Sequence, residues 1–328
     1  MTARQYFRPI PQDQGGRWCL AGGWVGFSAF ELLERGQAPR IVHDAPPDII
    51  RTLTAPRADI SGLSMDRPRI MGIVNATPDS FSDGGSYDPA DQAARLVQQG
   101  ADILDIGGES TRPGATEVPF DDEIARVLPA IAAARDLAPV SIDTRKAAVA
   151  RAAIQAGAVI VNDVSGFDFD PDLAQVVADS GLPVCLMHAQ GVPATMQDDP
   201  RYDDVLLDVH DALAERIRRA VAAGIRADRI VVDPGIGFGK TQAHNLAILR
   251  RISVLHGLGC PILLGVSRKR FIGSIGGAQA APDRAPGTLA VTVAAIAQGV
   301  QIHRVHDVAD HAQGLRLIAA LNEKEAGT

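Results

Sequence analysis

The chain has 328 residues, 46% hydrophobic and 22% charged, with a formal net charge of −7. That acidic balance excludes general nucleic-acid binding through a basic surface, so an anionic ligand must be held by a local basic cluster. Cys19, Cys185 and Cys260 are odd in number and form no CxxC pair, residues 1–20 lack the apolar segment of a signal peptide, and no apolar run approaches a membrane span. The expectation is a cytoplasmic protein with reduced thiols.

Residues 1–66 hold both tryptophans, Trp18 and Trp24. Residues 17–27 predict a strand and turn. Residues 28–35, with Phe30, Leu32 and Leu33 before Gly36, predict a short amphipathic helix. Pro46-Pro47 and residues 55–69 read as connectors. No catalytic constellation occurs here, so residues 1–66 are expected to form an N-terminal extension of unassigned role, packed on a main domain of residues 67–328.

From Ile70 short apolar runs alternate with helix-length segments. Strands are predicted over 70–74, 103–106, 140–142, 159–161, 184–187, 230–232, 262–266 and 302–305, with helices over 121–135, 146–156, 203–223 and 307–322 among the intervening segments. Eight βα units in some 260 residues fit a (β/α)8 TIM barrel, with a doubly wound open sheet as the alternative. Closure is favoured because it leaves no exposed sheet edge. The apolar stretch 289–300 reads as a buried or interface helix. Beyond the first strand, residues 75–85 form a polar loop holding Phe81 and Asp83, read either as a lid or as an ordinary strand-to-helix turn.

Active sites of such barrels lie at the carboxyl ends of the strands. Those ends read Asn75; Gly107 to Arg112; Asp143; Asn162-Asp163; His188; Asp233; Ser267-Arg268-Lys269; and Arg304 with His306. Asp143, Asn162 and Asp233 supply acceptors and an amide donor suited to the edge of an aminopyrimidinone ring, with Lys269 as the positive partner of its carbonyl. The competing reading for Asp143 is a helix cap. Arg304 and His306 lie two apart and share a face in extended chain, as a phosphate cradle would require. The alternative pairs Arg304 with Asp307 or Asp310 and makes His306 a cap. Asn75 can give one oxygen to Mg²⁺, with phosphate and water completing the octahedron.

Residues 235–241, Gly-Ile-Gly-Phe-Gly-Lys-Thr, imitate a P-loop, but only three residues separate Gly235 from Gly239, so the register is wrong. The glycines are expected to let backbone approach a ligand, with Phe238 as an apolar wall and Lys240 near an anion. Ser267 lies outside a Gly-x-Ser-x-Gly elbow and the histidines lack zinc spacing. Asp105, inside a strand, is expected to join a hydrogen-bond network within the barrel.

Residues 70–85 resemble the first signature of the dihydropteroate synthase family, and residues 101–114 are similar to its second. Ser141-Ile142-Asp143-Thr144, Val161-Asn162-Asp163, Leu186-Met187-His188, Asp233 to Lys240, Ser267-Arg268-Lys269 and Arg304 to Asp307 fit the same family in the same order, over roughly residues 68–323. The resemblance implies a transferase of folate biosynthesis. It would join 6-hydroxymethyl-7,8-dihydropterin diphosphate to 4-aminobenzoate and release diphosphate with Mg²⁺, through SN1-like departure. By the same resemblance Asp143, Asn162, Asp233 and Lys269 hold the pterin, with Met187 and Phe238 nearby. Thr111, Arg112, Arg304 and His306 serve the diphosphate. Phe81, Asp83 and Pro113 come from two loops completing the aminobenzoate site, and Asn75 ligates Mg²⁺. Asp143, Arg112, Asp83 and Phe81 are the implied catalytic set. Arg270 departs from the serine common at that position. The family implies a homodimer, to which the apolar residues 289–296 suit an interface helix. A pterin-dependent methyltransferase and a non-catalytic pterin binder are the alternatives; the first should lack the 75–83 loop and the Arg304/His306 pair, which are present.

Overall fold

The structure, a computed structural model, describes residues 4–12, 15–76, 89–110, 117–191 and 196–322. Its first part is an antiparallel sheet of β1 (Gln5–Gln12), β2 (Trp18–Cys19), β3 (Gly26–Glu34) and β4 (Arg40–Val42). β3 pairs with each of the other three strands. Pro9 and Pro11 break the β1 register, as expected where proline interrupts a ladder. The helix expected over 28–35 is instead the body of β3. Pairing of Leu33 with Tyr6 and of Phe30 with Pro9 outweighs the helical spacing. It also buries Phe27 and Phe30 with Leu20, Val25 and Leu53. Leu53 comes from α1 (Pro47–Thr54), which starts on a proline, where the missing N–H costs nothing.

The extension is tied to the rest of the chain by polar bonds. Trp24 Nε1 donates to the Ile296 carbonyl at 2.9 Å and Tyr6 OH donates to Asp211 at 2.8 Å. Glu31 pairs with Arg8 and Arg251. Arg57 is a buried cation whose NH1 and NH2 donate to the carbonyls of Thr52, Ala55 and His256. Burial pulls its pKa down to about 10.

Among the described residues, eight parallel strands follow: β5 (Arg69–Asn75), β6 (Ile103–Gly107), β7 (Val140–Asp143), β8 (Ile160–Asp163), β9 (Val184–Met187), β10 (Ile230–Asp233), β11 (Leu263–Leu264) and β12 (Ile302–Val305). They run in the order β10-β9-β8-β7-β6-β5-β12-β11. A parallel bridge between Val232 and Ile262 joins the two ends, so the sheet closes into a (β/α)8 barrel rather than an open sheet. The described helices are α2 (Pro89–Gln99), α3 (Phe120–Ala134), α4 (Ala147–Ala156), α5 (Leu173–Ser180), α6 (Val205–Ala222), α7 (Gln242–Arg250), α8 (Arg270–Gly276), α9 (Ala285–Ile296) and α10 (Val308–Asn322). The four helices predicted over 121–135, 146–156, 203–223 and 307–322 match α3, α4, α6 and α10 to within two residues, whereas the helix expected over 289–300 is α9, which starts and ends four residues earlier. Asp204 caps α6 through the amides of Leu206 and Leu207, and Thr241 with His244 forms a capping box on α7.

Strand alternation sorts the side chains. Leu104, Ile106, Val140, Ile142, Val161, Val184, Leu186, Ile230 and Val232 join the core beneath the helices. Met71, Ile103, Ile160, Cys185, Val231, Leu263 and Ile302 form a separate apolar cluster on the opposite face, inside the barrel. That cluster is completed by Ile60 and Met65. The connector expected over 55–69 therefore also forms a floor: Ile60 and Leu63 bridge as a tight turn, and Ser61 Oγ donates to the Val159 carbonyl at 2.9 Å. Two residues beyond the floor, the inward positions of β6, β8, β10 and β12 become Asp105, Asn162, Asp233 and Arg304.

Candidate active site

Asn75, Gly107, Asp143 and Asn162 are register partners across β5, β6, β7 and β8, so they stand side by side at one mouth of the barrel. Gly107 leaves room here: a Cβ would lie 3.4 Å from the Asp143 Cβ. Arg304, from β12, crosses the interior. Its Nε donates to Asp105 Oδ2 at 2.5 Å and its NH2 donates to Asp143 Oδ2 at 2.6 Å. Asn162 Nδ2 donates to the same Asp105 oxygen at 3.1 Å. The barrel-interior network expected for Asp105 is thus formed.

Two of the alternatives left open for these residues are not realised. Asp307 binds Arg268, not Arg304. The first amide of α4, Ala147 N–H, donates to Asp170 rather than to Asp143.

Burial raises the Asp143 carboxyl to about 7. The Arg304 charge opposes the rise, while the like charges of Asp105, Glu123 and Asp163 add to it. Asp143 Oδ1, Asp105 Oδ1 and Ser141 Oγ are buried without a hydrogen-bond partner among the described residues. Such oxygens clustered inside a barrel mark a place built for more than packing.

On the neighbouring strands Met187 and Asp233 are register partners, both buried. Asp233 Oδ1 accepts the Gly235 N–H at 2.7 Å, and burial raises its carboxyl against the pull of that amide and of Lys269. Lys269 Nζ donates to the Ile236 carbonyl and lies 4.3 Å from the Phe238 ring centroid. Burial lowers its pKa to about 8, opposed by Asp233 and aided by Arg304.

The glycine-rich loop behaves differently from expectation. A Cβ on Gly235 would fall 1.9 Å from the His188 carbonyl oxygen, and one on Gly239 2.3 Å from that of Gln190. Both have left-handed φ. These two glycines let the loop pack against the segment after β9, not against a ligand. Lys240 is likewise internal. Its Nζ contacts His188 Nδ1 at 2.9 Å and donates to the carbonyls of Gly235 and Phe238 at 2.9 and 3.0 Å. It is a buried amine committed to its own loop, its pKa driven by burial well below the usual lysine range, and not an anion anchor.

His306 Nδ1 lies 2.9 Å from Ser267 Oγ, which also accepts the His306 N–H at 3.1 Å. Ser267 is followed by Arg268 at φ 58°, a conformation non-glycine residues adopt at a cost of roughly 1–3 kcal/mol. The Arg268–Asp307 pair holds it there, with Thr288 Oγ1 on its amide and Arg284 on its carbonyl. Lys269 and the exposed Arg270 come directly after this turn. Glu109, beyond β6, accepts from Lys146, Arg145 and the Val118 N–H, and Lys146 also binds Glu123.

Phe81, Asp83, Thr111, Arg112 and Pro113 lie outside the described residues. Among those described, no three His, Cys, Asp or Glu side chains are grouped to hold a metal ion. One amide oxygen of Asn75 suits Mg²⁺ only together with ligand phosphate and water, which is how Mg²⁺ commonly binds.

The structure therefore brings together Asn75, Asp143, Asn162, Met187, Asp233, Phe238, Lys269, Arg304 and His306. The sequence pointed to Asn75, Asp143, Asn162, Asp233, Lys269, Arg304 and His306 through strand ends, to Phe238 through the glycine-rich loop, and to Met187 through the family resemblance. It did not point to Ser267 as the His306 partner or to the Arg268–Asp307 pair. It also left the Asp105 partners unnamed, although Asp105 shares the inward parity of Gly107.

The pattern described as "Pterin binding enzyme" matches residues 71–306. The dihydropteroate synthase of Escherichia coli (strain K12) is 43% identical over 273 residues, 81% of this chain and 96% of that protein. The solved structure of Xanthomonas albilineans dihydropteroate synthase with 4-aminobenzoic acid is 45% identical with a TM-score of 0.76, covering 82% of this chain and 99% of the other. The structure of the enzyme from that organism in complex with 7,8-dihydropteroate is 42% identical with a TM-score of 0.74, covering 82% and 100%. No helix among the described residues is long and apolar enough to cross a membrane.

Proposed function

The chain belongs to the dihydropteroate synthase family of pterin-binding enzymes, and we propose that it works as its residues allow: 4-aminobenzoate displaces diphosphate from 6-hydroxymethyl-7,8-dihydropterin diphosphate, giving 7,8-dihydropteroate. The observation that carries this reading is the cluster of Asp143, Asn162, Asp233, Lys269 and Arg304 at one barrel mouth, in a chain 42–45% identical to the relatives named above.

Asp143, Asn162 and Asp233 would receive and offer hydrogen bonds along the pterin edge, with Met187 and Phe238 against its faces and Lys269 at its carbonyl. Thr111, Arg112, Arg304 and His306 would hold the diphosphate, with Asn75 giving an oxygen to Mg²⁺. Bound Mg²⁺ would neutralise diphosphate charge. The carbon–oxygen bond breaks first and its electron pair leaves with diphosphate. The exocyclic carbon becomes cationic, stabilised by the ring and by the Asp143 carboxylate. The arylamine then forms the carbon–nitrogen bond and loses a proton. Phe81, Asp83 and Pro113 would complete the aminobenzoate site and keep water out.

The division at residue 66 is kept as an organisational proposal, with the extension bearing no reacting group. Free thiols at Cys19, Cys185 and Cys260 support a cytoplasmic setting. Ile275, Val293, Leu317 and Leu321, exposed at 58%, 39%, 61% and 83%, lie on the adjacent helices α8, α9 and α10 and support a homodimer through that face. Sedimentation showing only monomer at micromolar concentration would remove the dimer.

The function is tested with purified protein, pterin diphosphate, Mg²⁺ and 4-aminobenzoate. Diphosphate and dihydropteroate in equal amounts are expected. Pterin binding without diphosphate release would instead identify a non-catalytic binder. Methyl transfer from a methylated pterin would identify a methyltransferase.

A further inference from the structure

Asp105 is wholly buried and stands one inward step below Gly107, at the level of Ile73 and Ser141. A carboxylate is costly to hold there, and the reaction as described gives it no contact with substrate. Its Oδ2 nevertheless takes hydrogen bonds from Arg304 Nε and Asn162 Nδ2 at 2.5 and 3.1 Å. Both donors belong to side chains assigned above to the pterin and the diphosphate.

The bond to Asn162 decides which way that amide faces. With Nδ2 committed to Asp105, the amide oxygen is left to accept from elsewhere. The bond to Arg304 fixes the plane of the guanidinium, whose NH2 then meets Asp143 Oδ2 at 2.6 Å. A neutral side chain in this place would leave Arg304 with Asp143 as its one carboxylate partner in the network.

We propose that Asp105 is a positioning residue: from beneath the substrate it sets the Asn162 amide and the Arg304 guanidinium together, aligning pterin recognition with diphosphate departure. The proposal rests on the assignment of this mouth as the pterin and diphosphate site.

Asp105→Asn keeps the volume and one acceptor oxygen; Asp105→Ala keeps neither. Affinity for a pterin lacking the diphosphate is measured by calorimetry, alongside kcat, both KM values and thermal unfolding. Asp105→Asn is expected to weaken pterin binding roughly tenfold and Asp105→Ala more, with kcat falling by a similar factor. KM for 4-aminobenzoate should stay within about twofold, because neither donor serves that end of the site. A rescue separates positioning from mere support of the fold. Asn162→Asp sets two carboxylates face to face and should lose pterin binding about 100-fold. Adding Asp105→Asn restores a donor and an acceptor with roles exchanged, and should recover about tenfold.

Pterin affinity and kcat within about twofold of wild type in both single variants would overturn the proposal. So would losses that only follow the unfolded fraction, or a double variant no better than Asn162→Asp. Wild-type protein that binds no pterin would overturn both the proposal and the site assignment beneath it.

Discussion

The two ends of the barrel are made from the same strands and differ completely in content. At the floor Met71, Ile103, Ile160, Cys185, Val231, Leu263 and Ile302 meet Ile60 and Met65 in a buried apolar cluster. At the mouth, two residues further along four of those strands, Asp105, Asn162, Asp233 and Arg304 face the same interior. A step of two residues is about 7 Å. Over that distance the barrel changes from a packed core to a cluster of buried charges held by one another. The floor supplies the stability that the mouth, with carboxyls whose ionisation burial disfavours, gives away.

The sharpest break of this comparison is Asp143→Asn. It keeps the shape of the side chain but removes the charge proposed to face the developing cation. Steady-state kinetics above the pH of about 7 at which the wild-type carboxyl ionises should show kcat falling by roughly 10²–10³-fold with the protein still folded; a loss under about tenfold would remove Asp143 from the chemistry.

At the opposite end, Met65→Ala or Ile60→Ala opens a cavity in the floor. Denaturant unfolding should register a loss of about 2–5 kcal/mol, while kcat of the folded protein stays within about twofold. A large kinetic effect with little loss of stability would show the floor to be coupled to the reaction.

A comparable effect joins the two. In the fold the Asp143 carboxyl holds its proton up to about 7, whereas the ordinary carboxyl releases it near 3.8. The folded state therefore binds the extra proton between those values. The contribution is complete below pH 4 and is lost as pH rises toward 7. Wild-type protein should lose more thermal stability across that interval than Asp143→Asn does; parallel slopes would contradict the raised carboxyl.

The smallest expected effect concerns thiols. Cys19 is exposed, whereas Cys185 and Cys260 are buried, so a thiol reagent should label one cysteine per native chain. Met65→Ala should admit slow labelling of Cys185 through the loosened floor, and unchanged labelling would show that the floor is sealed by other residues.

The extension shows where local pattern misleads. Residues 28–35 carry helical spacing, yet Phe30, Leu32 and Leu33 become strand because β1, some 25 residues earlier, offers an edge and an apolar partner. The connector over 55–69 looked polar along its length, yet Ile60 and Met65 are 0% and 2% exposed under the barrel. The glycines after β10 suggested access to a ligand, but at Gly235 and Gly239 their space is taken by the backbone of His188 and Gln190. Lys240, read as an anion anchor, is spent on its own loop. Each of these readings failed because the deciding neighbour lies elsewhere in the chain.

What the sequence determined by itself was the alternation of apolar runs and helices, the polar group at the end of nearly every strand, and hence a barrel with one chemical mouth. These are local properties, set by side-chain periodicity and by the two-residue repeat of a strand. The tertiary structure alone decided how those groups share protons and hydrogen bonds. Arg304 reaches Asp105 across 199 residues and Asp143 across 161, and closure between Val232 and Ile262 faces them into one low-dielectric interior. Only there does burial raise the carboxyls of Asp143 and Asp233 and lower the lysines Lys240 and Lys269, because desolvation depends on what surrounds a group and not on where it stands in the chain.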